Sequence, residues 1–187
     1  MESVPILNRP AEDAPDHTSP MTVCTNRYQM TYYQIEYQNH KEVSFGNYLS
    51  CWDAIEQPVN ISYPTEPNAY YALIMTDPDC SDCSSRESPT HRELQHWVLV
   101  NIPGANWTQG FCLTEYIGIL RDYEYGVHRY VFILYKQPGK LKFTERVLDI
   151  RPVVESRCKF STRNFAKNYK FGDPIAVNFF MSDFDGD

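Results

Sequence analysis

Three short apolar runs constrain the fold most. Tyr70 to Met75 (YYALIM), Trp97 to Ile102 (WVLVNI) and Tyr130 to Tyr135 (YVFILY) are each bounded by turn residues. They are too short and too continuously apolar for amphipathic helices, and they predict central strands buried on both faces. Other segments alternate instead. Thr31, Tyr33, Ile35 and Tyr37 interleave with Tyr32, Gln34 and Glu36, and Val59, Ile61 and Tyr63 alternate up to Pro64. This is the pattern of half-buried strands. Fourteen Tyr and ten Phe favour strand over helix. One helix is expected, over Thr162 to Phe171, with Ser161 as its cap, Phe165 and Tyr169 on one face, and Gly172 as its stop. Asp173-Pro174 then leads into a last strand, Ile175 to Phe180. The sum is a mainly β chain, an antiparallel β-sandwich of two sheets with few short helices.

At 187 residues the chain suits a single domain with a proper core. Residues 1–20 carry Pro5, Pro10, Pro15 and Pro20 and read as a flexible arm, leaving 21–187 as the domain. The net charge is −7 and no basic run occurs, which argues against nucleic acid as the main partner. No apolar stretch is long enough to span a bilayer, so membrane contact is peripheral at most. The start of the chain lacks a basic segment followed by an apolar core, so no secretory signal is expected. Six cysteines in such a chain are expected as free thiols in a cytoplasmic monomer. The sequons at Asn60 and Asn106 would matter only in a secreted protein.

The ends of the three runs hold the polar residues that matter. Asp77-Pro78-Asp79 follows the first run, His96 opens the second, and Gly126-Val127-His128-Arg129-Tyr130 opens the third. If the runs are neighbouring strands, Asp77, His96, His128 and Tyr130 converge at one mouth. That set suits a small anion or a phosphate head group. A charged imidazole donates two hydrogen bonds, and a nearby carboxylate would raise its pKa and keep it charged. Each residue also has an ordinary reading: Asp77 as a turn cap, either histidine as a satisfied structural residue, Tyr130 as strand packing. Arg129 alternates with His128 and Tyr130, so it should point away from the mouth and pair with a carboxylate in the Asp77–Asp79 turn. Asp79 is assigned to structure and Trp97 to the core.

No nucleophile stands in a recognisable catalytic setting. There is no G-x-S-x-G elbow, no H-E-x-x-H and no phosphate-binding glycine loop. An esterase-like site would have to use Ser84 or Ser85. Cys80 and Cys83, with His91 and His96, could in principle hold zinc, but the spacing is short, and loop thiols are the expected state. No metal and no cofactor is expected.

The same residues carry a resemblance. DPD at 77–79, Arg86, RELQHWVLVNIPG at 92–104 and GVHRYVFILYKQ at 126–137 resemble the two signature blocks of the phosphatidylethanolamine-binding protein family. Gly46, Leu49, Pro58 and Ile61-Ser62-Tyr63 resemble its upstream strand and turn, and Phe160 to Phe180 its helix and last strand. The likeness runs from about Cys24 to Phe184. It implies two antiparallel sheets with a pocket at one end, a cis peptide before Pro78, and a ligand site of Asp77, His96, Gly118, His128 and Tyr130. It also implies a non-enzymatic binder of phospholipid head groups or phosphate-like anions. The alternative it implies is a regulator that inhibits a kinase or a serine protease. The chain departs from the family pattern at Cys80–Ser84, where the loop is longer. It departs again at Leu120–Tyr125, where small pocket-loop residues are replaced by larger ones that would narrow the mouth. The resemblance further implies a C-terminal helix gating the pocket; the chain as given stops at Asp187, which would leave the mouth more open.

Overall fold

The computed structural model describes residues 34–80, 92–119, 126–150 and 154–183. The arm expected over 1–20 and the loop residues Cys83–Arg86 and Leu120–Tyr125 lie outside the described residues. Among the described residues nine strands form two sheets. The smaller joins β1 (Gln34–Tyr37), β2 (Lys41–Glu42) and β4 (Asn60–Ser62) in the order β2-β1-β4. The larger has the order β3-β9-β8-β5-β6-β7. Its strands are β3 (Asn47–Tyr48), β9 (Ala176–Ser182), β8 (His128–Gln137), β5 (Tyr70–Asp77), β6 (Leu94–Pro103) and β7 (Phe111–Thr114). All pairings between these strands are antiparallel except β3 with β9.

The three apolar runs become β5, β6 and β8, side by side, with β5 in the middle. Alternate residues of β5 serve two cores. Tyr71, Leu73 and Met75 face the small sheet with Ile35, Tyr37, Ile61, Phe132 and Phe180. Ala72 and Ile74 face the opposite side, where Tyr135, Phe165, Ala166 and Phe171 cover them. The continuous apolar sequence of β5 is therefore the period-2 pattern written for two buried faces at once. β7 and the two-residue strands β2 and β3 carry no comparable run, which is why pattern reading passes over them.

Two α-helices are present among the described residues, α1 (Val154–Arg157) and α2 (Thr162–Asn168), beside short 3-10 turns at Gln38–His40 and Trp107–Gln109. Ser161 caps α2 as expected, its hydroxyl accepting from Asn164 N at 3.2 Å. The helix ends earlier than its sequence suggests. Lys170, not Gly172, is the first residue to turn left-handed, with φ +57°. Lys170 N donates to Lys167 O (3.2 Å) and Phe171 N to Ala166 O (2.9 Å). This pair of bonds is a Schellman closure, and the Phe171 ring stacks edge-on to Phe165 at 5.7 Å to complete it. Burial of Phe171 fixes where the chain must leave the helix, and a lysine bears the strain. Lys170→Gly should therefore stabilise the protein by about 0.5–1 kcal/mol, read from its denaturation midpoint. No stabilisation would mean that Phe171 does not set the helix end.

Candidate functional site

The sheet brings the predicted polar residues to one end. Asp77 closes β5, His96 lies near the start of β6, and His128 and Tyr130 open β8. All four are at most 3% exposed. His128 Nδ1 donates to Asp77 Oδ2 at 2.7 Å, and the other carboxylate oxygen accepts from Asp79 N at 2.7 Å. With Nδ1 committed to Asp77, the Nε2 edge of His128 is turned away from the carboxylate.

His96 reaches the same place by a bulge. Met75 pairs with Trp97 and Thr76 with Gln95, so His96 is an extra residue on β6 without an opposite number on β5. The added residue breaks the alternation. It sets the imidazole edge-on to Tyr130, 5.2 Å between ring centres, although strict alternation would send position 96 to the opposite face from Trp97. Tyr130 in turn stacks on Phe180 at 4.9 Å. His96 Nδ1 donates to Ile117 O at 3.0 Å. That fixes Nε2 as the acceptor nitrogen of the neutral ring and as a donor only once the ring is protonated. Burial lowers the His96 pKa below its usual value; attraction to Asp77 opposes this without overcoming it, and Arg157 adds to the lowering. The expected charged donor is thus corrected: at His96 desolvation outweighs the nearby carboxylate.

The turn after β5 is held as its sequence suggests. Arg129 points outward and grips Asp79, Nε to Oδ2 at 2.7 Å and Nη2 to Oδ1 at 2.6 Å, while its backbone N reaches Oδ2 at 3.1 Å. The Arg129 hydrogen bonds hold the Asp79 carboxyl below its ordinary pKa. A second expectation fails here. The cis peptide found among the described residues is Arg92–Glu93, at the entry to β6, and not the bond before Pro78.

Gly118 stands next to the His96 acceptor, and its glycine has a local cause. A Cβ there would lie 2.7 Å from Ile55 O and 2.9 Å from Ala54 O. Tyr116 holds this contact, its hydroxyl donating to Ala54 O at 2.6 Å and meeting Tyr37 Oη at 3.1 Å. The close approach that requires glycine is to the 54–55 backbone, within the protein itself. Of the zinc candidates, Cys80 packs with Leu94 and Cys158 in a small separate cluster, and Cys83 and His91 lie outside the described residues. Cys51 and Cys112 are free thiols.

Pattern reading missed three parts of this site: the bulge, the Ile117 carbonyl, and Arg157, which is fully buried and donates to His96 O among other carbonyls. An arginine in the polar stretch ESRCK reads as a surface residue, and nothing in the spacing marks it otherwise.

The fold and this cluster define a class of β-sandwich with a buried acid–imidazole cluster at one sheet end. The family model for phosphatidylethanolamine-binding protein matches residues 39–180, and the chain belongs to that family. It is 30% identical over 152 residues to the Drosophila melanogaster protein named "Putative odorant-binding protein A5", covering 81% of this chain and 70% of that one. It is 33% identical over 149 residues to the Toxocara canis 26 kDa secreted antigen, covering 79% of this chain but only 55% of the antigen. A solved carboxypeptidase Y inhibitor, complexed with its cognate proteinase, has the same fold: TM-score 0.65, 24% identity, 82% of this chain and 83% of that one. No helix among the described residues is long and apolar enough to cross a membrane.

Two outcomes test this geometry. Gly118→Ala should cost about 1–3 kcal/mol of stability by denaturant titration, because backbone at 54–55 must move; an unchanged midpoint would remove that contact as the reason for glycine. His96 is favoured neutral in the folded state, so its contribution is present above pH ~6.5 and lost as pH falls from there toward its lowered value. His96→Gln should flatten that part of the stability–pH curve. An identical slope in the variant would contradict the lowered pKa.

Proposed function

We propose that the chain is a non-enzymatic binder of phosphate-type anions, with phospholipid head groups as the ligand class. The observation that supports it most is the buried cluster itself: Asp77 holding His128, with His96 bulged onto the same side beside Tyr130. In this reading His128 Nε2, protonated His96 Nε2 and the Tyr130 hydroxyl donate to the phosphate, and Gly118 lines the approach. Asp77 orients His128 and offsets the positive charge that the ligand site gathers. Since His96 is neutral at rest, taking up an anion brings a proton with it. Affinity is then greatest below the His96 pKa and falls as pH rises through its value in the complex.

The second reading, a regulator that inhibits a kinase or serine protease, draws on the family resemblance. The solved inhibitor–proteinase complex supports the fold alone at 24% identity. A cytoplasmic site of action goes with the thiols at Cys51 and Cys112.

The test is calorimetric titration at pH 6 and pH 8 with glycerophosphoethanolamine, whose phosphodiester keeps its charge over that range, and separately with orthophosphate. Binding of the diester that weakens about tenfold at pH 8, and that is lost in His96→Ala and in His128→Ala, supports the head-group site. Binding of orthophosphate alone would assign the site to free phosphate. Binding of neither, or unchanged affinity in both variants, overturns the proposal.

A further inference from the structure

Arg157 is the largest fully buried side chain among the described residues. It ends α1, and four backbone carbonyls receive it. Nη1 donates to Gln95 O (3.2 Å), His96 O (3.4 Å) and Glu115 O (2.8 Å), and Nη2 to Asp149 O (2.6 Å). These carbonyls belong to three separate segments: the bulged start of β6, the exit of β7, and the stretch before α1. The first two are the segments that set His96 and its acceptor. His96 is the bulge residue, and Ile117, two residues beyond Glu115, takes the His96 Nδ1–H. Ile117 N also donates back to His96 O at 3.0 Å. The arginine and the Ile117 amide thus share the carbonyl of the bulge.

A buried cation held only by carbonyls is costly, and a fold keeps one where geometry or field repays it. The planar fork suits several carbonyls at fixed angles, which a lysine cannot match. Among the described residues no carboxylate forms a direct ion pair with it; Asp149 and Glu115 act on it from farther away. The Glu115 carboxylate itself accepts from Ile150 N. The charge is therefore not quenched by direct pairing, and its field reaches His96.

We infer that Arg157 is the positioning residue of the anion site, clamping the bulge and the β7 exit so that His96 and the Ile117 carbonyl hold their places, and supplying a fixed buried positive charge behind the imidazole. The role rests on the anion-binding reading above for its ligand, but not for its geometry. The charged groups bearing on His96 are Asp77 from β5 and Arg157 from α1; Tyr130 from β8 and the Ile117–Gly118 backbone complete its surroundings. Asp77 and Arg157 oppose each other there, so loss of the cation leaves the carboxylate to act alone.

The test uses the full chain with Arg157→Met and Arg157→Lys. Two readouts are taken: the His96 ring resonances through a pH titration, and glycerophosphoethanolamine affinity against pH. In Arg157→Met the His96 midpoint should rise. The low-pH affinity should fall on the order of tenfold, and the pH at which affinity is lost should move upward. Arg157→Lys keeps a cation with three donors, so it should restore the His96 midpoint and recover part of the affinity. A loss of fold stability alone would move neither midpoint. An unchanged His96 titration in folded Arg157→Met overturns the inference, as does failure of both variants to fold, which assigns Arg157 to the fold in general. If the wild-type protein binds no diester, the ligand reading fails while the His96 titration still decides the role of Arg157.

Discussion

Burial of the Asp77 carboxylate is the constraint on which the rest of this end of the molecule depends. Asp77 ends a strand that is covered on both faces, so water cannot solvate it. A carboxylate in that position costs several kcal/mol unless its oxygens are met. His128 meets one and the Asp79 amide meets the other. The first bond requires β8 to lie beside β5 in the register that brings His128 within reach, and the observed pairing of Thr76 with Val131 provides it. The second requires the chain to turn immediately, which Pro78 favours and the Asp79–Arg129 clamp secures. One buried charge thus explains the DPD turn, the outward arginine and the orientation of the first histidine.

The architecture was legible because its central strands announce themselves. YYALIM, WVLVNI and YVFILY read as buried strands, and once the first and third pair antiparallel, Asp77, His128 and Tyr130 share an end. Arg129 was legible for the same reason, since period 2 turns it outward. His96 was legible as a residue but not in its geometry. By strict alternation it belongs to the opposite face from Trp97, and only an inserted residue in the β6 ladder puts it beside Tyr130. A bulge depends on pairing between strands, and a single strand's sequence does not encode it. The helix end failed for a related reason: Gly172 carries the local stop signal, but the ring contacts of Phe171 stop α2 two residues sooner.

Gly118 and Arg157 show a different limit. Both answer to backbone brought from far along the chain, Ala54–Ile55 in one case and Gln95, His96, Glu115 and Asp149 in the other. A glycine in a loop and an arginine in a polar stretch are the commonest of residues by local criteria. Their meaning appears only when the partners are placed, and neither partner set includes a side chain whose type could have signalled the contact.

The electrostatics of the site follow from these placements. Desolvation drives His96 toward its neutral form, and Arg157 pushes in the same direction, while Asp77 pulls the other way without prevailing. Arg157 and Asp77 therefore act in opposite senses on a His96 ring that burial already favours neutral. On the anion-binding proposal, a bound anion adds to the pull of Asp77 and favours protonation of this ring. Net charge −7 over the whole chain does not oppose this, because surface carboxylates are screened within about 10 Å in salt while a buried cation is screened far less. The local field set by Arg157 and Asp77, not the acidity of the molecule, decides the charge of the His96 ring on which the proposed anion binding depends.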